Sequence, residues 1–369
     1  MRTRVLIQVE DPGAALFMQD LPAALEASGV DPVVMAGPFA APYFAGNASL
    51  IPAAGSGLGD ASAALRRHST DVLVIGTSEN PDSFAFDLVH AARATGIPTV
   101  GAVDSAPNAA NRFRGRTTDP LAHLPDALVL PDRAAEAAYL GLGVAKERLT
   151  ICGHPALHAI ARLRDEWDEE HRRRHRARWF PDVPDNRAIF VFVSELSVGL
   201  GDKPFRRTTD YRLHGTSGSD ARSRIVAEEF LQAARALASR PYLVLRLHPK
   251  QQLENEAGLA TQFDQVSQAE PALEVVHAAD LVSGMTSILL AEAATLGRPV
   301  LSIVPRPEER AWLGDIAEAM TCVWTRADIA AGLAVPPAMR PPVAALHDPA
   351  DAMAQVIRNM ASKAHDAPV

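Results

Sequence analysis

Cysteine is nearly absent. Cys152 and Cys322 are the only two in 369 residues, far apart and without metal spacing, so neither a disulfide framework nor a zinc site is expected. No apolar run reaches the roughly 18 residues of a membrane span. Glu10 and Asp11 interrupt the first apolar run, at 5–9, too early for a signal peptide, so a cytoplasmic protein with at most peripheral membrane contact is expected. Positive net charge is also lacking. With 36 Lys+Arg against 44 Asp+Glu the balance is −8, and nucleic acid is not an expected partner. No Asp-x-Asp spacing clusters carboxylates for a divalent cation, so no metal site is assigned and metal independence is the default.

What the chain does have is alternation. Strand-like runs at 4–9, 32–36, 72–76, 98–103, 127–130 and 149–152 alternate with helically spaced stretches at 14–28, 84–95 and 133–140. This predicts a parallel α/β sheet, whose ligands bind beyond the carboxyl ends of the strands. The pattern restarts with strands at 188–193 and 242–247 and a helix at 225–239, and a last helix is expected at 348–363. The expected division is a first Rossmann-like domain at 1–156, a charged linker helix at 157–184, a second Rossmann-like domain at 185–345, and a closing helix and tail at 346–369.

The linker carries Asp168/Arg172, Glu169/Arg173 and Glu170/Arg174 as i,i+4 pairs in the favourable order, which marks a solvated helix. Its basic block has RNA or membrane contact as the competing reading. The polar stretch 199–224, with Lys203, Arg206, Arg207, Arg212 and His214, reads either as a loop closing over an anionic ligand or as a disordered insertion.

Two stretches carry chemistry. Arg246-Leu247-His248-Pro249 ends a strand in a basic pair, and alternation would put Arg246 and His248 on one face. Ser283-Gly284-Met285-Thr286-Ser287 lies where a helix begins, and its backbone N–H groups and hydroxyls make an anion site. Glu292 follows about one and a half turns into an otherwise apolar helix, where an acid needs a partner such as a ligand hydroxyl. Gly297-Arg298-Pro299 ends that helix. These features look like one end of a nucleotide-diphosphate or nucleotide-sugar site.

On those residues the chain resembles glycosyltransferases of the GT-B architecture and the related UDP-N-acetylglucosamine 2-epimerases, most strongly over 242–305. The resemblance implies two Rossmann-like domains facing across a cleft, the donor nucleotide on the second, acceptor groups on the first, and a final helix crossing back. In bacterial sialyltransferases, capsule-type transferases, glycerophosphotransferases and the epimerases, a strand-end His-Pro lies near the donor phosphate, as His248 would. Their Ser/Thr-rich turn is a further phosphate contact, here Ser283, Gly284, Thr286 and Ser287. The acid of their donor helix, matched by Glu292, binds ribose hydroxyls. Arg246 and Ser194 complete the implied donor set. Ser194-Glu195-Leu196-Ser197 stands where the epimerases carry His-Arg-Glu-Asn.

The expected function is therefore a metal-independent, inverting glycosyltransferase. It would move a sugar from a CMP- or UDP-linked donor to a glycan, lipid or protein acceptor, with no cofactor beyond the nucleotide-sugar co-substrate. A 2-epimerase or hydrolase on the same fold is the alternative, and a non-catalytic binding protein a further one. Inverting transfer needs a base and a stabilised leaving phosphate. His248 and Arg246 are candidates for the second task, Asp11 and Asp104 for the first, with Glu79 and Glu195 as other bases. Each has a bland counterpart. Asp11 is equally an N-cap with Pro12 at the first helical position, Asp104 part of a plain turn, Arg246 half of an ion pair, and one of Ser283, Thr286 and Ser287 a helix cap. His154 is expected to be structural.

Overall fold

A computed structural model describes residues 2–196, 206–339 and 347–366, the side chains of 255–257 and 364–366 excepted. Contacts divide the chain into two compact units, Met1–His158 with Ala345–Val369, and Ala159–Ala344.

The first unit is built on seven parallel strands: β1 Arg4–Val9, β2 Asp31–Ala36, β3 Leu50–Pro52, β4 Val72–Gly76, β5 Thr99–Ala102, β6 Ala127–Leu130 and β7 Leu149–Ile151. Their order is β3-β2-β1-β4-β5-β6-β7. The helices are α1 Pro12–Met18, α2 Leu21–Ala27, α3 Gly57–Arg67, α4 Phe84–Ala94, α5 Ala109–Arg112 and α6 Arg133–Gly141. Residues 14–28, expected as one helix, form two. Pro22 sits in the first turn of α2, where its missing N–H costs nothing but where no helix can run through it unbroken. One sheet face packs Ile7, Val34 and Val74 on Phe17 and Leu21. Met353 and Ile357 of the C-terminal helix Pro349–Asp366 join that core, so the end of the chain returns to this unit. The other face packs Leu6 and Leu73 on Leu88, Val89 and Phe113.

The helix α7, Pro155–Glu166, carries the boundary between the units. α8, Glu169–Trp179, follows it in the second unit. Asp168 is spent as its N-cap, accepting from His171 N–H, so the ion pairs form at i,i+3 (Arg172–Glu169 3.1 Å, Arg173–Glu170 2.7 Å) rather than at i,i+4. One face of α8 docks on the same unit. Arg172 and Arg176 bind Asp280, the Trp179 indole donates to Glu274, and His175 meets His277. The basic block is thus partly used inside the fold.

The second unit has six parallel strands: β8 Ile189–Val193, β9 Tyr242–Arg246, β10 Gln265–Ser267, β11 Leu281–Gly284, β12 Val300–Ile303 and β13 Thr321–Val323. The order is β10-β9-β8-β11-β12-β13. Its further helices are α9 Arg222–Arg235, α10 Ala272–Ala278, α11 Ile288–Thr295 and α12 Arg326–Ala334. In each sheet the strand order reverses beside the first strand, at β1/β4 and at β8/β11. Such a reversal opens a crevice at the carboxyl ends, where open α/β sheets bind ligands. At the β8/β11 reversal the strands approach closely, and a Cβ on Gly284 would meet the Val193 carbonyl oxygen at 2.8 Å.

Among the described residues, 206–221 is a loop held by two buried acids of α9. Glu228 accepts from the backbone N–H groups of Thr216 and Ser217, and Glu229 from those of His214 and Gly215. Arg206 pairs with Asp220, and Arg207 donates to the carbonyls of His214 and Ser219. Two of the cations expected to meet an anionic ligand therefore hold the loop itself. Lys203 lies outside the described residues.

Candidate functional site

In the second unit the apolar run Phe190–Val193 fills β8 and leaves Ser194 and Glu195 at its carboxyl end. Beside it β11 ends at Gly284 and hands over to Met285, Thr286 and Ser287. The turn is anchored from below, because Met285 is fully buried and its carbonyl accepts from Ser302 Oγ at 2.6 Å. Ser287 is the N-cap of α11, accepting from Leu289 N–H. Ser283 faces inward and donates to the Leu301 carbonyl at 2.9 Å, so burial removes its hydroxyl from the ligand-facing set. Gly284 serves the approach of β8 to β11.

Thr286 carries the turn's polar contacts. Its N–H and its hydroxyl (3.1 Å) both donate to the Glu195 carboxylate. Arg222, at the start of α9, donates to Glu195 at 2.9 Å, to Thr286 Oγ1 at 3.2 Å and, through Nε, to Glu309. Glu309 is also held by Arg306 at 3.0 Å, and the Trp312 ring lies 5.1 Å from the Arg222 guanidinium. Arg222 is 1 % exposed and Glu309 0 %. Burial opposes the Arg222 charge, and the two carboxylates outweigh it, keeping its pKa above the ordinary arginine value.

Glu292, on α11, is 8 % exposed, and its carboxylate makes no hydrogen bond or ion pair with any described residue. Burial alone pushes its carboxyl from 4.5 up to about 7. His248 lies past the end of β9. Its Nδ1 accepts from Lys250 N–H at 3.1 Å, which leaves the ring proton on Nε2, and its own N–H donates to Gln251. Gln251 reaches on to Ser194 Oγ at 3.0 Å, tying the loop after β9 to the end of β8. Arg246 takes the ion-pair alternative of its two expected readings. The strand ends at this residue, so alternation does not carry through to His248, and its guanidinium donates to Ser267 Oγ and the Glu270 carbonyl, both at 2.9 Å, with the Glu270 carboxylate at 3.7 Å. It is an internal tie between β9 and the end of β10.

The first unit has its own polar cluster at the ends of β1, β4 and β5. Asp11 caps α1, accepting from Gly13 N–H at 3.0 Å, with Pro12 in the first turn. Asp104 accepts from Thr77 Oγ1 at 2.8 Å and pairs with the buried Arg112 at 3.2 Å. Gly13 lies against both acids, since a Cβ there would stand 2.6 Å from Asp104 Oδ2 and 3.5 Å from Asp11 Oδ1. The two acids singled out from the sequence are thus brought together, whereas Glu79 is taken by Asn108 at 2.7 Å. His154 packs edge-on to Phe17, and burial pushes its pKa down to about 4 against the pull of Asp104.

Sequence reasoning missed Arg222, Glu309, Arg306 and Trp312, and it did not see that Arg112 balances Asp104. No group of three or more His, Cys, Asp or Glu among the described residues is placed to hold a metal ion, and no described helix is long and apolar enough to cross a membrane.

No protein-family model and no curated protein matches the chain in sequence. Solved structures do match in fold. The UDP-GlcNAc 2-epimerase of Neisseria meningitidis bound to UDP-GlcNAc is 13 % identical, with a TM-score of 0.61 over 98 % of this chain and 100 % of that one. The Methanocaldococcus jannaschii UDP-GlcNAc 2-epimerase in complex with UDP-GlcNAc and UDP is 12 % identical, with a TM-score of 0.64 over 97 % and 100 %. A glycosyltransferase from Rickettsia africae is 11 % identical, with a TM-score of 0.57 over 98 % and 94 %. The chain has the GT-B-like fold that these glycosyltransferases and nucleotide-sugar 2-epimerases share.

Proposed function

We propose that the chain binds a nucleotide-diphosphate sugar on its second unit and cleaves the bond between the anomeric carbon and the diphosphate. Glu292 carries this reading. It is a buried acid whose carboxylate has no partner among the described residues, on the helix that starts at the Thr286–Ser287 turn, and ribose hydroxyls would supply donors to it. Around the phosphates the candidate donors are the turn itself, Arg222 and the Nε2–H of His248. Asp104, kept in place by Arg112 and Thr77, and Asp11 are the candidate bases.

UDP is the nucleotide to try first, because the fold neighbours are mostly UDP-GlcNAc 2-epimerases. They support epimerisation or hydrolysis of the UDP-sugar as the first reading. Glycosyl transfer is the second. Ser194-Glu195-Leu196 favours it, standing where the epimerases carry His-Arg-Glu-Asn.

The test is a set of reactions with UDP-GlcNAc in deuterated water, with and without sugar acceptors, for wild type and Glu292→Gln. Deuterium at C2 of the recovered sugar without net UDP marks an epimerase, and UDP without acceptor a hydrolase. UDP only with acceptor marks a transferase. UDP binding with no turnover across a panel of UDP-sugars would sink the enzyme reading and leave a binding protein. Equal UDP affinity in Glu292→Gln would remove Glu292 from the site.

A further inference from the structure

The anion site at the start of α11 already holds an anion, the carboxylate of Glu195. It takes the Thr286 N–H, the Thr286 hydroxyl and one N–H of Arg222. An amide, a hydroxyl and a guanidinium converging on two oxygens are the donor set that a phosphate takes. The three charged groups of the network are not equally fixed. Arg222 and Glu309 are fully buried on elements packed around them, and Glu309 keeps Arg306 whatever happens to Arg222. The Glu195 side chain is 15 % exposed and stands on the loop just after β8. Withdrawal of this carboxylate would release Thr286 and one face of Arg222.

We infer that Glu195 is an internal competitor for the donor phosphate: the diphosphate gains the Thr286 and Arg222 donors by displacing the Glu195 carboxylate. The inference rests on the nucleotide-sugar reading above. Two like charges cannot share these donors, so a phosphate at Thr286 repels the carboxylate, and the displaced Glu195 becomes a carboxylate beside the bound donor. The apparent affinity for every ligand that carries phosphate is lowered by the fraction of molecules in which Glu195 holds the turn. A nucleoside without phosphate does not compete with Glu195 and escapes this reduction. Glu195 thereby grades ligands by the number of phosphates they bring to the turn.

The test is calorimetric binding of UDP, inorganic pyrophosphate and uridine to wild type, Glu195→Ala and Glu195→Gln. Glutamine keeps the size of the side chain and an acceptor for the Thr286 N–H, so it reads the charge if the alanine variant does not fold. Kd for UDP and pyrophosphate is expected to fall by roughly tenfold or more in the variants, the worth of one charge-assisted hydrogen-bond set. Uridine binding should be unchanged. Equal or weaker UDP binding in both folded variants overturns the competition and leaves the nucleotide reading standing. Absence of UDP and pyrophosphate binding in all three folded proteins overturns both.

Discussion

Glu292→Gln should move stability and ligand binding in opposite directions, and its effect on stability should depend on pH. The Glu292 carboxyl is pushed by burial from 4.5 to about 7. Between these values the unfolded chain has released a proton that the fold retains. The native state binds more protons there, so stability falls as pH rises through the window. Each pKa unit is worth about 1.4 kcal/mol, so an ionised Glu292 costs the fold about 3 kcal/mol at pH 8 and almost nothing at pH 4.5. Glutamine has the same shape and no charge. The variant should therefore match wild type near pH 4.5 and exceed it at pH 8. For a unit of this size, 3 kcal/mol corresponds to a Tm increase of about 6–12 °C. Ligand binding should show the reverse. Ribose hydroxyls that donate to the carboxylate favour its charged form, so UDP binding at pH 6 should release a proton in wild type, seen as a buffer-dependent binding enthalpy, and the variant should bind more weakly without that release. A Tm difference that is the same at pH 4.5 and pH 8, or a UDP affinity unaffected by the substitution, would refute the reasoning.

His248→Ala should lower turnover by roughly 100-fold or more while the fold is kept, as loss of a donor to developing charge does elsewhere; near-wild-type turnover would remove it from the reaction. Arg222→Leu should destabilise the chain by about 3–5 kcal/mol, because it strips a partner from the fully buried Glu309. The double variant with Glu309→Leu should be milder than Arg222→Leu alone in urea unfolding, and the opposite order would argue against the pairing. His154 has its pKa lowered from 6.5 to about 4, so below pH 6.5 the unfolded chain takes up a proton that the fold refuses. Stability is then lost as pH falls from 6.5 towards 4, by about 3 kcal/mol over the window, and His154→Leu should flatten that part of the pH profile.

The fold was legible where burial is two-sided. Strands of a parallel sheet covered on both faces read as continuous apolar runs, as β4 and β8 do. Short or compositionally bland pieces were not legible. β3 is three residues ending in Pro52 at the sheet edge, and α3 carries Gly57 and Gly59 in its first turn and buries only the small Ala61 and one large apolar residue, Leu65. The helix break before Leu21 needed Pro22 to be weighed against an otherwise helical spacing. In the site, hydroxyls gathered just before an apolar helix announced the Thr286–Ser287 turn, and an acid inside that helix announced Glu292. Arg222 and Glu309 stand 87 residues apart, and nothing local in Pro307-Glu308-Glu309-Arg310 distinguishes the exposed acid from the buried one.

The pairing of Glu195 with Thr286 belongs to a different class, because it follows from topology once the strand order is assumed. In a doubly wound sheet the first strand and the strand that begins the second half are neighbours at the point of reversal. In the second unit these are β8 and β11, in register with Val193 opposite Gly284. The residues that follow them must therefore emerge side by side, although 91 positions separate them in the chain. An acid after the first strand and a hydroxyl-bearing helix start after the fourth are drawn together by that order alone. The same logic in the first unit joins Asp11 after β1 to Thr77 after β4, with Asp104 one strand further on. Residues at the carboxyl ends of strands flanking a reversal are therefore a better guide to the polar centre of such a chain than any of its local motifs, of which Arg246-Leu247-His248-Pro249 spends Arg246 on an internal tie and leaves His248 past the end of the strand.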